Sequence, residues 1–173
     1  AKLRLGTGAG ANNVVEICER LATTGIIRLC IHGRTLRQGY SGNADWETIA
    51  KVVERVDIPV IANGDITDAK SAAKCLEVTG AAGLMIGRGA IGRPMVFAEI
   101  KAGLGGPTPT SPWAQDDPRR WEEARPNEQD FIARAWCWKR YVELSEETTG
   151  LQPKWLTRHA VAFTKGLPGA REA

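Results

Sequence analysis

The sequence predicts an α/β fold in which four strand–helix units build a parallel sheet, followed by a small all-α region. Short apolar segments alternate with amphipathic ones over residues 1–102, and glycine or proline separates one segment from the next. Helical periodicity then returns after a stretch at 103–127 that is rich in glycine and proline. Strict alternation of strands and helices makes the strands parallel, with the helices outside the sheet. A barrel and an open, doubly wound sheet both satisfy this pattern.

The predicted strands are short and apolar, as strands buried on both faces should be, and they lie at residues 2–5, 26–31, 58–62 and 83–86. The predicted helices follow them, at residues 13–23, 45–56, 68–78 and 94–102. Asp45 and Asp68 are suited to be N-caps, because a carboxylate accepts the unpaired N–H groups of the first helical turn. Pro94 suits the first position of the last helix.

The region after the fourth unit changes character. Residues 103–127 are predicted to be a linker, because their glycines and prolines break any regular element. A helix is predicted over 128–148, and a second one over about 153–165. The predicted domains are therefore residues 1–102 and 128–173, joined by that linker.

The composition is that of an ordinary soluble globular chain. Of the 173 residues, 43% are hydrophobic and 25% are charged, and the formal net charge is +3. No apolar run is long enough to span a membrane, and the charge balance is not basic enough to indicate nucleic acid. The four cysteines form no C-x-x-C pair, so no metal site is predicted, and a reduced, cytoplasmic location is expected.

Polar side chains stand where predicted strands end. His32-Gly33-Arg34-Thr35 follows the second strand, and Asn63-Gly64-Asp65 follows the third. The carboxyl ends of parallel strands meet at one edge, which is where the active sites of barrels lie. We therefore expect Lys2, His32, Asn63 and Arg88 at one rim. A solvated loop after the second strand and an Asx turn after the third remain open as alternatives.

Gly87-Arg88-Gly89-Ala90-Ile91-Gly92 matches the pattern G-x-G-x-x-G between a predicted strand and a predicted helix. A dinucleotide-binding site would need a further strand with an acidic residue, and a linker follows instead. The favoured interpretation is a phosphate loop, in which glycine N–H groups and a helix N-terminus face an anion and Arg88 adds donors. A tight turn with a solvated arginine is the alternative.

Several segments have a highly specific spacing, which covers nearly the whole chain outside 103–127. They are Lys2-Leu3-Arg4-Leu5-Gly6, His32-Gly33-Arg34-Thr35 with Gln38 and Tyr40, Ile58-Pro59-Val60-Ile61-Ala62-Asn63-Gly64-Asp65-Ile66, Met85-Ile86-Gly87-Arg88-Gly89-Ala90, Arg158-His159 and Lys165-Gly166-Leu167-Pro168-Gly169-Ala170-Arg171. Together these segments resemble the tRNA-dihydrouridine synthase family.

The resemblance implies that the chain is the second half of a (β/α)8 TIM barrel, followed by a helical tRNA-binding domain at 128–173. Members of this family use FMN, with NADPH as the reductant, to reduce the C5–C6 bond of uridines in tRNA. The family's first half-barrel and the loop that carries its general-acid cysteine have no counterpart in these residues. The chain is therefore expected to be a fragment that contains no catalytic residue and is inactive on its own.

The resemblance also assigns roles to matching positions. The residues implied to bind FMN are Lys2 at the pyrimidine edge of the flavin, His32 beside it, Asn63, Gly64 and Asp65 along the ribityl and phosphate path, and Gly87 and Arg88 at the phosphate. Arg34 and Gln38 are implied to contact the substrate.

Two other functions stay open at this point. One is a different flavin- or phosphate-binding barrel oxidoreductase, and the other is a non-catalytic RNA-binding remnant. Self-association is also expected, because a half-barrel leaves its first and last strands as open sheet edges. The inward faces of the strands are predicted to be apolar, which would add to this tendency.

Overall fold

The computed structural model describes residues 1–8, 12–93, 95–107, 126–149 and 160–164. The chain divides into two compact units, Ala1–Gly89 and Ala90–Ala173. Most of the predicted linker and most of the predicted helix at 153–165 lie outside the described residues, although residues 160–164 are helical. No helix within the described ranges is long and apolar enough to cross a bilayer.

The first unit contains four strands, β1 (Lys2–Arg4), β2 (Leu29–His32), β3 (Val60–Asn63) and β4 (Gly83–Met85). They form one parallel sheet in the order β1-β2-β3-β4. Between them lie the helices α1 (Val14–Ala22), α2 (Trp46–Val53) and α3 (Ala69–Thr79). The spatial order follows the chain order, as in the wall of a barrel, whereas a doubly wound sheet reverses its order at a switch point. The sheet therefore fits part of a TIM barrel.

One face of the sheet packs against the helices and forms the core of this unit. Leu29 and Ile31 of β2 are fully buried, and Val60 of β3 is 3% exposed. Ile49 of α2 is likewise fully buried, and α2 and α3 both contact β3. Alternate residues of a strand point to opposite faces, so Leu29 and Ile31 share the helix-facing side. Each such aliphatic side chain contributes about 1.5–3 kcal/mol when it is buried.

The opposite face of the sheet carries both polar and apolar side chains, so the predicted apolar inward face is present only in part. Its first row contains Lys2, Cys30, Ile61 and Gly83. In the next row towards the carboxyl ends, the paired residues on successive strands are Arg4, His32, Asn63 and Met85. Cationic and polar side chains therefore dominate the row at the carboxyl ends of the strands, whereas Cys30, Ile61 and Met85 are the apolar side chains of this face.

β2 begins at Leu29 rather than at residue 26. The first partner of β2 on β3 is Val60, which pairs with Leu29. Residues 26–28 have no ladder partner in the described sheet, and the Ile27 side chain is 78% exposed. The apolar pattern at 26–28 predicted a strand because it cannot show where a neighbouring strand begins.

Both predicted N-caps are present. The Asp68 carboxylate accepts a hydrogen bond from the Ser71 N–H at 2.7 Å, and the Ser71 hydroxyl oxygen in turn accepts from the Asp68 N–H at 3.1 Å. The Asp45 carboxylate accepts from the Thr48 N–H at 2.9 Å. These bonds satisfy N–H groups that have no partner inside the helix, and they fix where α3 and α2 begin.

The glycine-rich segment after β4 differs from its prediction. Arg88–Ala90 form a short 3-10 turn, and the next helix, α4, spans Val96–Gly103. Between them Gly92 has a φ of 72°, a left-handed conformation that interrupts a helical backbone. The helix therefore begins two residues after its predicted start, and its role in holding an anion stays a prediction. The position of Pro94 lies outside the described residues.

The second unit contains α4 and a long helix, α5, at Pro126–Thr149, which covers the predicted helix at 128–148. The Trp138 ring lies on one face of α5, with its centroid 5.7 Å from the Tyr141 ring and 5.7 Å from the Phe163 ring. Such aromatic contacts hold α5 against the helical residues 160–164.

Candidate functional site

A cavity of about 540 Å³ lies at the carboxyl ends of the strands, within the first unit. This end of a parallel sheet is where α/β proteins bind their ligands. The cavity is bordered by the β2–α2 loop, residues 33–45, and by the β3–α3 loop, residues 64–68. The lining residues are Lys2, Arg4, His32, Tyr40, Asn63, Gly64, Asp65, Ile66, Thr67, Met85, Gly87, Arg88 and Gly89.

The structure brings together all the residues that the resemblance implies for FMN binding, namely Lys2, His32, Asn63, Gly64, Asp65, Gly87 and Arg88. Their meeting follows from the parallel register, because His32 and Asn63 end neighbouring strands and pair directly. Arg34 and Gln38, predicted to contact the substrate, are not among the lining residues. The binding roles of both groups stay predictions.

His32 lies in the cavity wall with only 7% exposure. Burial lowers the pKa of its imidazole to about 4, and the positive charges of Arg4, Lys2 and Arg34 act in the same direction against the opposing effect of Asp65. At neutral pH the ring is therefore uncharged, so one ring nitrogen can donate a hydrogen bond and the other can accept one. An uncharged ring can also stand beside three cations without repulsion.

Asp65 connects the two loops that border the cavity. Its carboxylate accepts from Arg34 Nη2 at 2.8 Å and from the Ala44 N–H at 2.7 Å, and Arg88 Nη2 lies 3.8 Å away. Partial burial acts to raise the pKa of this carboxyl, but the Ala44 hydrogen bond and the two arginines outweigh it, so the pKa lies below its ordinary value. The carboxylate is ionised at neutral pH. The sequence pattern does not indicate this pairing, because both residues lie in irregular loops.

The side chains of Arg34 and Gln38 form hydrogen bonds with the backbone of their own loop, between β2 and α2. The Arg34 side chain is 3% exposed, and its Nε and Nη2 atoms donate to the carbonyl groups of Ser41 and Gly42. Gln38 Oε1 accepts from the Thr35 N–H at 2.8 Å. These side chains are engaged with the protein, and the geometry lends no support to their predicted contact with a substrate.

Arg4 and Tyr40 line the cavity, and the predicted set did not contain them. Arg4 Nη1 donates to the carbonyl group of Gly39 at 3.0 Å. The Tyr40 ring is 61% exposed, and the Arg88 guanidinium lies over it, 4.3 Å from the ring centroid, at a cation–π distance. Arg4 could have been found, because it follows Lys2 by two positions and so shares its face of β1. Tyr40 belongs to a segment that carries the resemblance, but its loop has no periodic pattern that would show where its ring lies.

Two glycines shape the cavity wall. A Cβ atom on Gly87 would meet nothing within 4 Å, so the backbone there leaves open space for a ligand group. Gly64 has a φ of 121°, and a Cβ atom there would lie 2.8 Å from the Ala44 Cβ and 3.1 Å from His32 Cδ2. Only glycine therefore allows the β3–α3 loop to approach His32 so closely.

The cavity carries an excess of positive charge. Lys2, Arg4 and Arg88 line it, whereas Asp65 is the one carboxylate among the lining residues and is already paired with Arg34. This surplus favours an anionic ligand, and a guanidinium beside a glycine suits the oxygens of a phosphate group. The donor set and the space at Gly87 therefore fit a phosphorylated, polar-edged cofactor such as FMN.

Residues 1–126 match the sequence model of the family described as dihydrouridine synthase (Dus). A probable tRNA-dihydrouridine synthase of Rhodobacter capsulatus is 50% identical over 105 residues, which cover 61% of this chain and 32% of the relative. For probable tRNA-dihydrouridine synthase 1 of a Synechocystis species the identity is 50% over 100 residues, or 58% and 28% of the two chains. tRNA-dihydrouridine synthase B of Klebsiella pneumoniae is 48% identical over 100 residues, or 58% and 31%. The matched segment spans about a third of the length of these relatives.

Proposed function

Because the chain belongs to the dihydrouridine synthase family, we propose that its cavity binds FMN and that the whole protein reduces uridines in tRNA. The family match over residues 1–126 confirms the resemblance predicted from the motifs. The observation that carries the FMN proposal is the positively charged cavity at the strand ends, with an uncharged His32 in its wall.

The phosphate group of FMN would be held at Gly87 and Arg88. The Arg88 side chain is 53% exposed, and its 3.8 Å separation from Asp65 is too long for a direct hydrogen bond. Its guanidinium can therefore turn its donors to a phosphate, and the open space beside Gly87 admits the phosphate oxygens.

Lys2 and His32 would hold the polar edge of the flavin. The ammonium of Lys2 stabilises the negative charge that a reduced flavin carries, and the uncharged His32 adds a donor or an acceptor. When bound, FMN supplies the hydride for the C5–C6 bond of uridine, and we propose NADPH as the source of that hydride. The target base would have to leave its stack to reach a flavin in this cavity, which costs a few kcal/mol.

The reduction also needs a proton donor, and we propose that the family's general-acid cysteine supplies it from outside these 173 residues. No cysteine is among the residues that line the described cavity. Cys18 and Cys75 are buried, and burial raises the pKa of each thiol to about 11. We therefore expect the chain alone, given FMN, NADPH and tRNA, to form no dihydrouridine.

We also propose that residues 128–173 contact the tRNA.

The test is a titration of the 173-residue chain with FMN and with riboflavin, which lacks the phosphate group. Arg88→Gln should weaken FMN binding by about tenfold, since a hydrogen bond to a charged group contributes roughly 1.5–3 kcal/mol, and should leave riboflavin binding unchanged. Arg55→Gln is the matched control, because Arg55 forms an exposed ion pair with Glu19 and neither residue lines the cavity.

Equal losses for both ligands would contradict phosphate binding at Arg88. If the chain binds tRNA but neither flavin, the non-catalytic RNA-binding function replaces the proposal.

A further inference from the structure

We propose that Arg34 and Asp65 form a positioning pair that fixes the β2–α2 loop and thereby places Tyr40 and Arg88 at the mouth of the cavity. Arg34 is buried and does not line the cavity, whereas Asp65 is one of the lining residues. The placement of Tyr40 is a property of the protein alone, and only the effect on ligand affinity rests on the proposed binding of FMN.

The Arg34 side chain forms hydrogen bonds with the loop backbone directly after Tyr40. Its Nε donates to the Ser41 carbonyl group at 3.2 Å, and its Nη2 donates to the Gly42 carbonyl group. The same Nη2 lies 2.8 Å from both carboxylate oxygens of Asp65. The guanidinium is buried, so loss of Asp65 leaves an uncompensated charge away from water. The ion pair therefore fixes the two residues that follow Tyr40 relative to the end of β3.

The backbone before Tyr40 is held from the other side. Arg4 Nη1 donates to the Gly39 carbonyl group at 3.0 Å, so the chain is anchored on both sides of the exposed ring. Asp65 also lies 3.8 Å from Arg88, whose guanidinium covers that ring at 4.3 Å. One carboxylate thus attracts the arginine that covers the ring and holds the arginine that fixes the loop.

The residue types match this function. A lysine in place of Arg34 would keep the charge but could not span Ser41, Gly42 and Asp65 at once, because it lacks the planar fork of donors. Asp65 has a φ of 57°, a left-handed conformation that Asn adopts as readily as Asp. Asp65→Asn therefore removes the charge without straining the backbone.

Fluorine NMR tests the placement without any ligand. The chain has two tyrosines, Tyr40 and Tyr141, so labelling with 3-fluorotyrosine gives two resonances, which Tyr40→Phe assigns. Asp65→Asn and Arg34→Met should each shift the Tyr40 resonance and leave the Tyr141 resonance in place. Arg34→Lys keeps the charge and should shift the Tyr40 resonance less than Arg34→Met does. It is the variant to use if Arg34→Met does not fold. The matched control is Arg55→Met, which breaks an exposed ion pair of 3.2 Å.

An FMN titration of the same variants supplies the second measurement. Affinity should fall by about tenfold or more for Asp65→Asn and Arg34→Met, since small displacements of binding groups have large effects. An unchanged Tyr40 resonance in folded Asp65→Asn overturns the positioning pair whatever the affinities. If the wild-type chain binds no FMN, the proposed function fails, while the shift of Tyr40 still decides the inference.

Discussion

His32 and Asp65 are displaced from their ordinary pKa values for different physical reasons. At His32 burial is the largest cause, and three nearby cations add to it. At Asp65 burial acts in the opposite direction and is outweighed by hydrogen bonds and by the charges of Arg34 and Arg88. The first group is thus uncharged and the second ionised at neutral pH, which keeps the surplus of positive charge in the cavity constant across the physiological range.

The pKa of His32 can be measured directly. The imidazole should titrate in the folded chain with a midpoint of about 4, well below its ordinary value of 6.5. As the pH falls, His32 becomes protonated near pH 6.5 in the unfolded chain but only near pH 4 in the folded chain. The free energy of unfolding should therefore fall as the pH drops from about 6.5 towards about 4. His32→Gln should lose that part of the pH dependence. NMR of labelled histidine gives the midpoint, and a midpoint near the ordinary value would contradict the burial described here.

At the scale of single elements, the start of α3 depends on one side chain. Asp68→Ala should lower the free energy of unfolding by about 1 kcal/mol, because the first-turn N–H of Ser71 loses its acceptor. Asn13→Ala is the matched control, since Asn13 stands at the N-cap of α1 and makes no side-chain capping bond. Urea denaturation of both variants measures the difference, and equal losses would show that the capping bond is not the cause.

The elements and the cavity rim could be predicted from the sequence, whereas the connections between loops could not. Capping residues such as Asp68 act within one turn, and the ends of parallel strands bring His32 beside Asn63 whatever the loops do. The contact between Arg34 and Asp65 depends instead on the path of two irregular loops. The predicted start of β2 at residue 26 was wrong for a similar reason, because ladder partners belong to neighbouring segments.

At the scale of the whole molecule, the polar row at the strand ends changes the expected main cause of self-association. Barrel interiors are filled by layers of branched apolar side chains. Here the row at the strand ends contains Arg4, His32 and Asn63 beside Met85, so pairing these faces would bury less apolar surface than a barrel interior does. We therefore expect the unpaired backbone at the sheet edges to be the main cause of association.

We expect the 173-residue chain to form dimers or larger species at micromolar concentration through β1 and β4. In the described sheet each of these strands has a neighbour on one side only, which leaves backbone groups on the other side without a strand partner. The Ala82 N–H donates to Val60 on β3 at 2.9 Å, and alternate residues of a strand point the same way, so the Met85 N–H faces the open edge.

Met85→Pro should therefore reduce self-association without breaking the β3–β4 ladder, because proline is tolerated where the N–H faces outwards. Light scattering after size-exclusion chromatography measures the change. Ile27→Ser is the control, since Ile27 is an apolar side chain outside the ladder and is 78% exposed. If Ile27→Ser abolishes the larger species while Met85→Pro does not, exposed apolar side chains rather than unpaired strand edges drive the association.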